Sequence, residues 1–139
     1  MTTRIAMPGR VLLLAVLAAA VATAGGCSRS DRPALGTVSG TVMLDGRPLA
    51  NAAVRFTPVG KGRTSQGITD NAGRYRLAYL RDIAGANLGR HAVRITTATE
   101  ENGGRETLPQ RYHAATVLEA TVAAGNNQQN FLLETRETK

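Results

Sequence analysis

The stretch Gly67-Ile68-Thr69-Asp70-Asn71-Ala72-Gly73-Arg74-Tyr75-Arg76-Leu77 decides the fold class. Its centre, Asp70 to Gly73, is built of turn-forming residues, because Asp and Asn side chains bond their own backbone and Gly accepts a positive φ. Beyond the turn the chain alternates, with Arg74 and Arg76 on one face and Tyr75, Leu77 and Tyr79 on the other. A period of two with one apolar face predicts a half-buried strand. Thr64 to Thr69, just before the turn, is the expected hairpin partner.

The same period recurs on both sides. In Thr37 to Leu44, Val38, Gly40, Val42 and Leu44 share a face, and Asp45-Gly46 follows as a hairpin-type turn. Ala52 to Val59 sets Val54 and Phe56 inward against Arg55 and Thr57, with Pro58 marking an edge or a strand end. Gly89 to Thr97 turns Val93 and Ile95 inward and Arg94 and Thr96 outward. By parity His91 joins the buried face, where a bond to backbone is its expected role. Thr116 to Ala123 aligns Leu118, Ala120 and Val122. Gln128 to Glu134 brings in Phe131 and Leu133 after a turn at Gly125-Asn126-Asn127. With Thr64–Thr69 and Arg74–Leu80 this makes seven strands, and no capped helical period follows Cys27. The expectation is an all-β, antiparallel sandwich. About 100 residues suffice for one, and inward positions rich in Ala, Gly and Val predict modest stability.

Three blocks carry a family resemblance. The run Thr69-Asp70-x-x-Gly73-x-Tyr75-x-Leu77 resembles the signature of carboxypeptidase regulatory-like domains, which are transthyretin-like β-sandwiches. Val38-Ser39-Gly40-Thr41-Val42, followed by Asp45-Gly46-Arg47-Pro48-Leu49-Ala50-Asn51-Ala52, resembles that family's opening strand and turn. Gly89-Arg90-His91-Ala92-Val93-Arg94-Ile95 resembles a later strand, with His91 where an aromatic is usual. The resemblance implies a seven-stranded antiparallel Greek-key sandwich of the prealbumin type, spanning residues 37–135 with a tail at 136–139. These are turn and core positions, so they imply little about a ligand.

The first residues belong to something else. Arg4 and Arg10 precede an uncharged apolar run from Val11 to Ala24, and small residues lead into Cys27, the only cysteine. This is the pattern of a secretory signal peptide, too short for a membrane span of about 20 residues. Cys27 after Ala24-Gly25-Gly26 resembles a bacterial lipobox, with Ala24 where Leu is usual. The implied organisation is a lipoprotein signal peptide at 1–26, acylation of Cys27, and a polar tether at 27–36. The alternatives are ordinary cleavage near Ala22 or Ala24 and an uncleaved N-terminal anchor. In each case the chain is expected to be exported, and with Cys27 acylated it is a lipoprotein anchored in the cell envelope, in the periplasm or at the surface.

Composition narrows the function classes. The chain holds 17 basic and 10 acidic residues; Arg4 and Arg10 lie in the signal, leaving an excess of five positive charges beyond it. An exported chain with no Trp and few aromatics is a poor nucleic-acid binder. The fold group includes 5-hydroxyisourate hydrolase, which uses His and Arg residues and ends in Tyr-Arg-Gly-Ser, whereas this chain ends Thr135-Arg136-Glu137-Thr138-Lys139. Two histidines and one cysteine do not assemble a zinc set, and Asp70 and Asn71 read as turn residues before calcium ligands. No cofactor, metal or catalytic residue is therefore expected. The expected function is a non-catalytic, membrane-tethered module for structure or protein interaction. A carbohydrate-binding module for envelope glycans is the alternative, and a small transthyretin-like hydrolase using His91 and His113 is a third. The long connection from Ala98 to Ala115 supplies the candidate partner contacts, Arg105, Arg111, Tyr112 and His113. Within it Glu100 to Glu106 is expected to be flexible, Leu108 and Tyr112 to cap the core, and Tyr112 to be the one aromatic platform for a sugar.

Overall fold

In a computed structural model, the structure describes residues 32–116 and 118–137. Cys27 and the signal-like segment lie outside the described residues. Among the described residues of the unit Pro33–Lys139, twelve strands form two sheets.

The first sheet is organised around β1 (Leu35–Leu44). This strand starts two residues before the expected Thr37, so Leu35 and Gly36 belong to the sheet rather than to a tether. Val38 and Val42 are fully buried, while Thr37 and Ser39 are exposed, as the period of two requires. On one flank β1 is tiled by three antiparallel segments, β2 (Arg47–Pro48), β5 (Arg74–Arg76) and β8 (Ala86–Asn87). On the other flank lie β11 (Gly125–Gln128) and β12 (Phe131–Leu133), both parallel to β1. Gly125-Asn126-Asn127 is thus paired strand, not the expected turn. The turn between β1 and β2 is as expected: Asp45 and Gly46 both have positive φ, 51° and 78°.

The second sheet runs β10 (Leu118–Val122), β9 (Gly89–Thr96), β3 (Ala53–Pro58), β4 (Ser65–Ile68), β6 (Ala78–Leu80) and β7 (Ile83–Ala84). All its pairs are antiparallel. Pro58 ends β3, opposite His91.

The deciding stretch is the place where the expected hairpin divides. Arg74–Arg76 leaves its predecessor and pairs with Ser39–Thr41 of β1; only after Leu77 does the chain rejoin β4, with Ala78 opposite Gln66. Leu77 is 1 % exposed, donates its N–H to the Val38 carbonyl (2.9 Å) and accepts from Gly85. Burying this Leu between the sheets contributes about 2 kcal/mol and fixes the crossing point. The turn itself forms as read: the Asp70 carboxylate accepts from the Ala72 and Arg74 N–H groups, each at 2.9 Å. Gly73 has φ +74°, and a Cβ there would lie 2.5 Å from the Val42 carbonyl oxygen. That position therefore needs glycine twice over.

Between the sheets lies one core. Val38, Val42, Tyr75, Ala86, Phe131 and Leu133 come from the first sheet, and Val54, Phe56, Val93, Ile95, Ala120 and Val122 from the second. Phe56 and Phe131 meet edge to face across the layers at 6.2 Å between centroids. Tyr79 is only half-buried, short of the inward position expected for it.

Candidate functional site

The connection from Ala98 to Ala115 is held by hydrogen bonds along its length, where flexibility was expected at Glu100–Glu106. Short 3-10 turns form at Glu100–Asn102 and Gln110–Tyr112. Asn102 Nδ2 donates to the carbonyls of Asn51 (3.1 Å) and Thr97 (3.0 Å). The hub is Glu106. Its Oε1 accepts from Thr97 N–H, the Thr97 hydroxyl, Thr107 N–H and Leu108 N–H, and its Oε2 from the Thr96 hydroxyl. Burial alone pushes this carboxyl up, but the donors from Thr96, Leu108 and Thr97 outweigh it and hold the pKa at about 2. Glu106 was not anticipated. The only signal was hydroxyl-bearing Thr96, Thr97 and Thr107 gathered around one acid, which has no periodicity to reveal it.

The structure brings Arg111, Tyr112 and His113 together and turns them toward their own chain. Leu108 and Tyr112 are buried, capping the core as expected. The Tyr112 hydroxyl donates to the Glu134 carbonyl (3.3 Å) and accepts from the Glu134 N–H (3.0 Å). The Arg111 guanidinium sits 4.8 Å over the Tyr112 ring and donates to the Glu134 and Arg136 carbonyls. Tyr112, 8 % exposed with a guanidinium over its face, offers no platform to a sugar. His113 Nε2 meets the Leu108 carbonyl at 3.0 Å. Arg105 stands apart, exposed and without a bond to the other three.

His91 is fully buried, its Nδ1 3.0 Å from the Gly89 carbonyl and its ring 5.7 Å from Phe56. Its Nε2 has no hydrogen-bond partner among the described residues. Burial lowers its pKa against the opposing effect of the Gly89 bond. Sealed in the core, His91 reaches no substrate, and the two histidines occupy separate settings. Among the described residues no group of three His, Cys, Asp or Glu side chains is placed to hold a metal ion.

What the fold does present is a polar sheet face. Parity sends Thr37, Ser39 and Thr41 of β1 outward; Arg76 lies opposite Ser39 and Arg74 opposite Thr41 on one flank, Asn126 opposite Thr37 and Gln128 opposite Ser39 on the other. Two adjoining grooves of about 600 and 500 Å³ run over this face and share Ser39, Arg76 and Gln128. Arg74 is paired with Asp70 at 3.3 Å, and the Thr37 hydroxyl bonds Asn126 and the Gly125 carbonyl. The side chains of Arg76, Ser39, Thr41 and Gln128 have no partner among the described residues. Sequence alternation predicted outward Arg74 and Arg76, but not that Gln128 and Asn126 join them. That depends on the parallel seating of β11.

No family model matches the chain, and no curated protein matches it.

Proposed function

We propose that this protein is a non-catalytic β-sandwich of the bacterial cell envelope, tethered to a membrane through acylated Cys27 and working as an interaction module. The observation that carries the reading is Cys27 placed directly after an apolar run and small residues. The use of the reactive side chains agrees with it: His91 is sealed in the core, His113 bonds Leu108, and the Glu106 carboxylate is saturated by donors. Placement of the three motif blocks in β1 with its following turn, in the Asp70–Gly73 turn and in β9 supports a carboxypeptidase regulatory-like, Greek-key sandwich.

Two measurements test this. Metabolic labelling with an alkyne fatty acid should mark the chain and lose the mark in Cys27→Ala; labelling that persists, or never appears, rejects the anchor. In-cell photo-crosslinking from the exposed positions Glu101, Arg105 and Gln110 should then capture one reproducible envelope protein. Cross-links confined to the chain itself, lipid or glycan reject a protein partner at this loop.

A further inference from the structure

We propose that the outer face of the first sheet binds an anionic polysaccharide, with Arg76 on its acidic groups and Ser39, Thr41 and Gln128 on its hydroxyls. The proposal rests on the export reading for where such a polymer is met, but not for the binding itself.

The row Arg76–Ser39–Gln128 crosses three strands in register. It sets a guanidinium, a hydroxyl and a carboxamide side by side over about 10 Å. Thr37 and Thr41 extend the face along β1 to about 13 Å, the length of a few sugar units. Because Arg76, Ser39, Thr41 and Gln128 are exposed or half-exposed and make no internal bond, a ligand displaces only water. The acid bordering the grooves, Asp70, is already paired with Arg74.

The chemistry of the lining selects the occupant. Neutral sugars are held by stacking on an exposed aromatic ring, and the groove's only aromatic, Tyr75, is 4 % exposed. A protein partner takes most of its affinity from apolar or aromatic anchors in pockets; of the large apolar side chains lining these grooves only Ile68 is exposed, and most of the remaining side chains carry hydroxyl, amide or guanidinium groups. A lipid surface reads charge and has no use for a trough of hydroxyls and amides. A chain of hydroxyl-bearing units with carboxylates or phosphates matches the guanidinium, hydroxyl and amide groups of the face, since a guanidinium grips either anion through two parallel hydrogen bonds.

The test is affinity electrophoresis of the full chain, in mild detergent, through native gels containing polygalacturonate, phosphomannan or neutral dextran. Retardation is expected in at least one acidic polymer and not in dextran. Arg76→Gln combined with Gln128→Ala should weaken the affinity about tenfold. The opposite sheet supplies a control of larger charge loss: Arg55 and Arg94, exposed and facing each other across β3 and β9. Arg55→Gln with Arg94→Gln should change affinity by less than about twofold, because exposed charges that far away are screened. Thermal melts of both variants confirm folding. No retardation in either acidic polymer overturns the proposal, as does equal loss in the two double variants, which means general attraction by net charge. Binding to vesicles of anionic lipid in place of the polymers also overturns it, in favour of a membrane surface. Failure of the export reading shows separately, by cell fractionation, and leaves the gel result unchanged.

Discussion

The Tyr75 hydroxyl donates a 2.6 Å hydrogen bond to the carbonyl of Gln129, 54 residues away in sequence. In an uninterrupted parallel ladder that carbonyl would accept from Thr41 N–H. Instead it turns into the core, and the Asn130 side chain takes its place on Thr41 at 3.0 Å. Gly40 makes the turn inward feasible, because a Cβ there would lie 1.8 Å from the Gln129 oxygen. One side-chain hydroxyl, one missing side chain and one carboxamide thus replace a single backbone bond.

Tyr75→Phe should therefore leave the Gln129 carbonyl unsatisfied and cost about 1 to 3 kcal/mol. Gly40→Ala should cost about 3 kcal/mol or more, since the contacting atom is backbone and cannot swing aside. Urea unfolding of the two variants measures both, and a Gly40→Ala chain as stable as its parent would refute the close approach.

His91 predicts a loss of stability in weak acid. Burial depresses its folded pKa, so the native state holds it neutral while the unfolded chain takes up a proton below about pH 6.5. Its contribution is complete above that pH and falls as the pH drops toward the folded value. His91→Phe should flatten the melting temperature between pH 7.5 and 5, and the same slope in parent and variant would assign it elsewhere.

Glu106 acts in a lower window. With its folded pKa at about 2 against a usual 4.5, its contribution is present above pH 4.5 and is lost as the pH falls toward 2. Glu106→Gln keeps the shape but sets an amide donor or a neutral carbonyl against the Thr97, Thr107 and Leu108 N–H groups. A cost of about 1 to 3 kcal/mol is expected at neutral pH, together with loss of the acid slope below pH 4.5 in denaturant titrations.

Tyr112 and Arg111 clasp the residues after β12. Tyr112→Phe removes the acceptor for Glu134 N–H, and Arg111→Ala removes the donor to the Glu134 and Arg136 carbonyls. Hydrogen exchange should accelerate at the Glu134 amide in Tyr112→Phe, with the β9 amides unchanged. The loss of one hydrogen bond, about 1 kcal/mol, corresponds to roughly a fivefold change in local opening.

Much of the sandwich was legible because burial imposes a period of two on β1, β3 and β9, and His91 fell inward by that parity. What local pattern does not carry is the choice of partner. Tyr75 and Leu77 face the core whether their strand pairs with β4 or with β1, so the crossing at Leu77 was invisible. Gly125-Asn126-Asn127 has turn composition for another reason: Asn127 spends its amide on Ala123, bonding its N–H and its carbonyl at 2.9 and 2.8 Å, and also on the Thr37 carbonyl at 3.1 Å. Of the partner-contact candidates, Tyr112 joins the core with Arg111 over its ring, while Arg105 stands apart. Residue type alone does not say whether an Arg or Tyr there faces a partner or, as with Arg111 and Tyr112, its own last residues.

The seating of β11 and β12 sets the order in which the chain can fold. β1 is made at the beginning of the domain, and its parallel partners follow 89 residues later. Until they arrive, one flank of the central strand has no ladder, and the contacts that close it carry a large loop entropy. The second sheet, whose neighbours are mostly close in sequence, can assemble beforehand, but the first waits for β11 and β12. Folding of this domain is therefore completed only once β11 and β12 are made, and a chain cut anywhere before Gly125 keeps the flank of β1 open to whatever strand it meets.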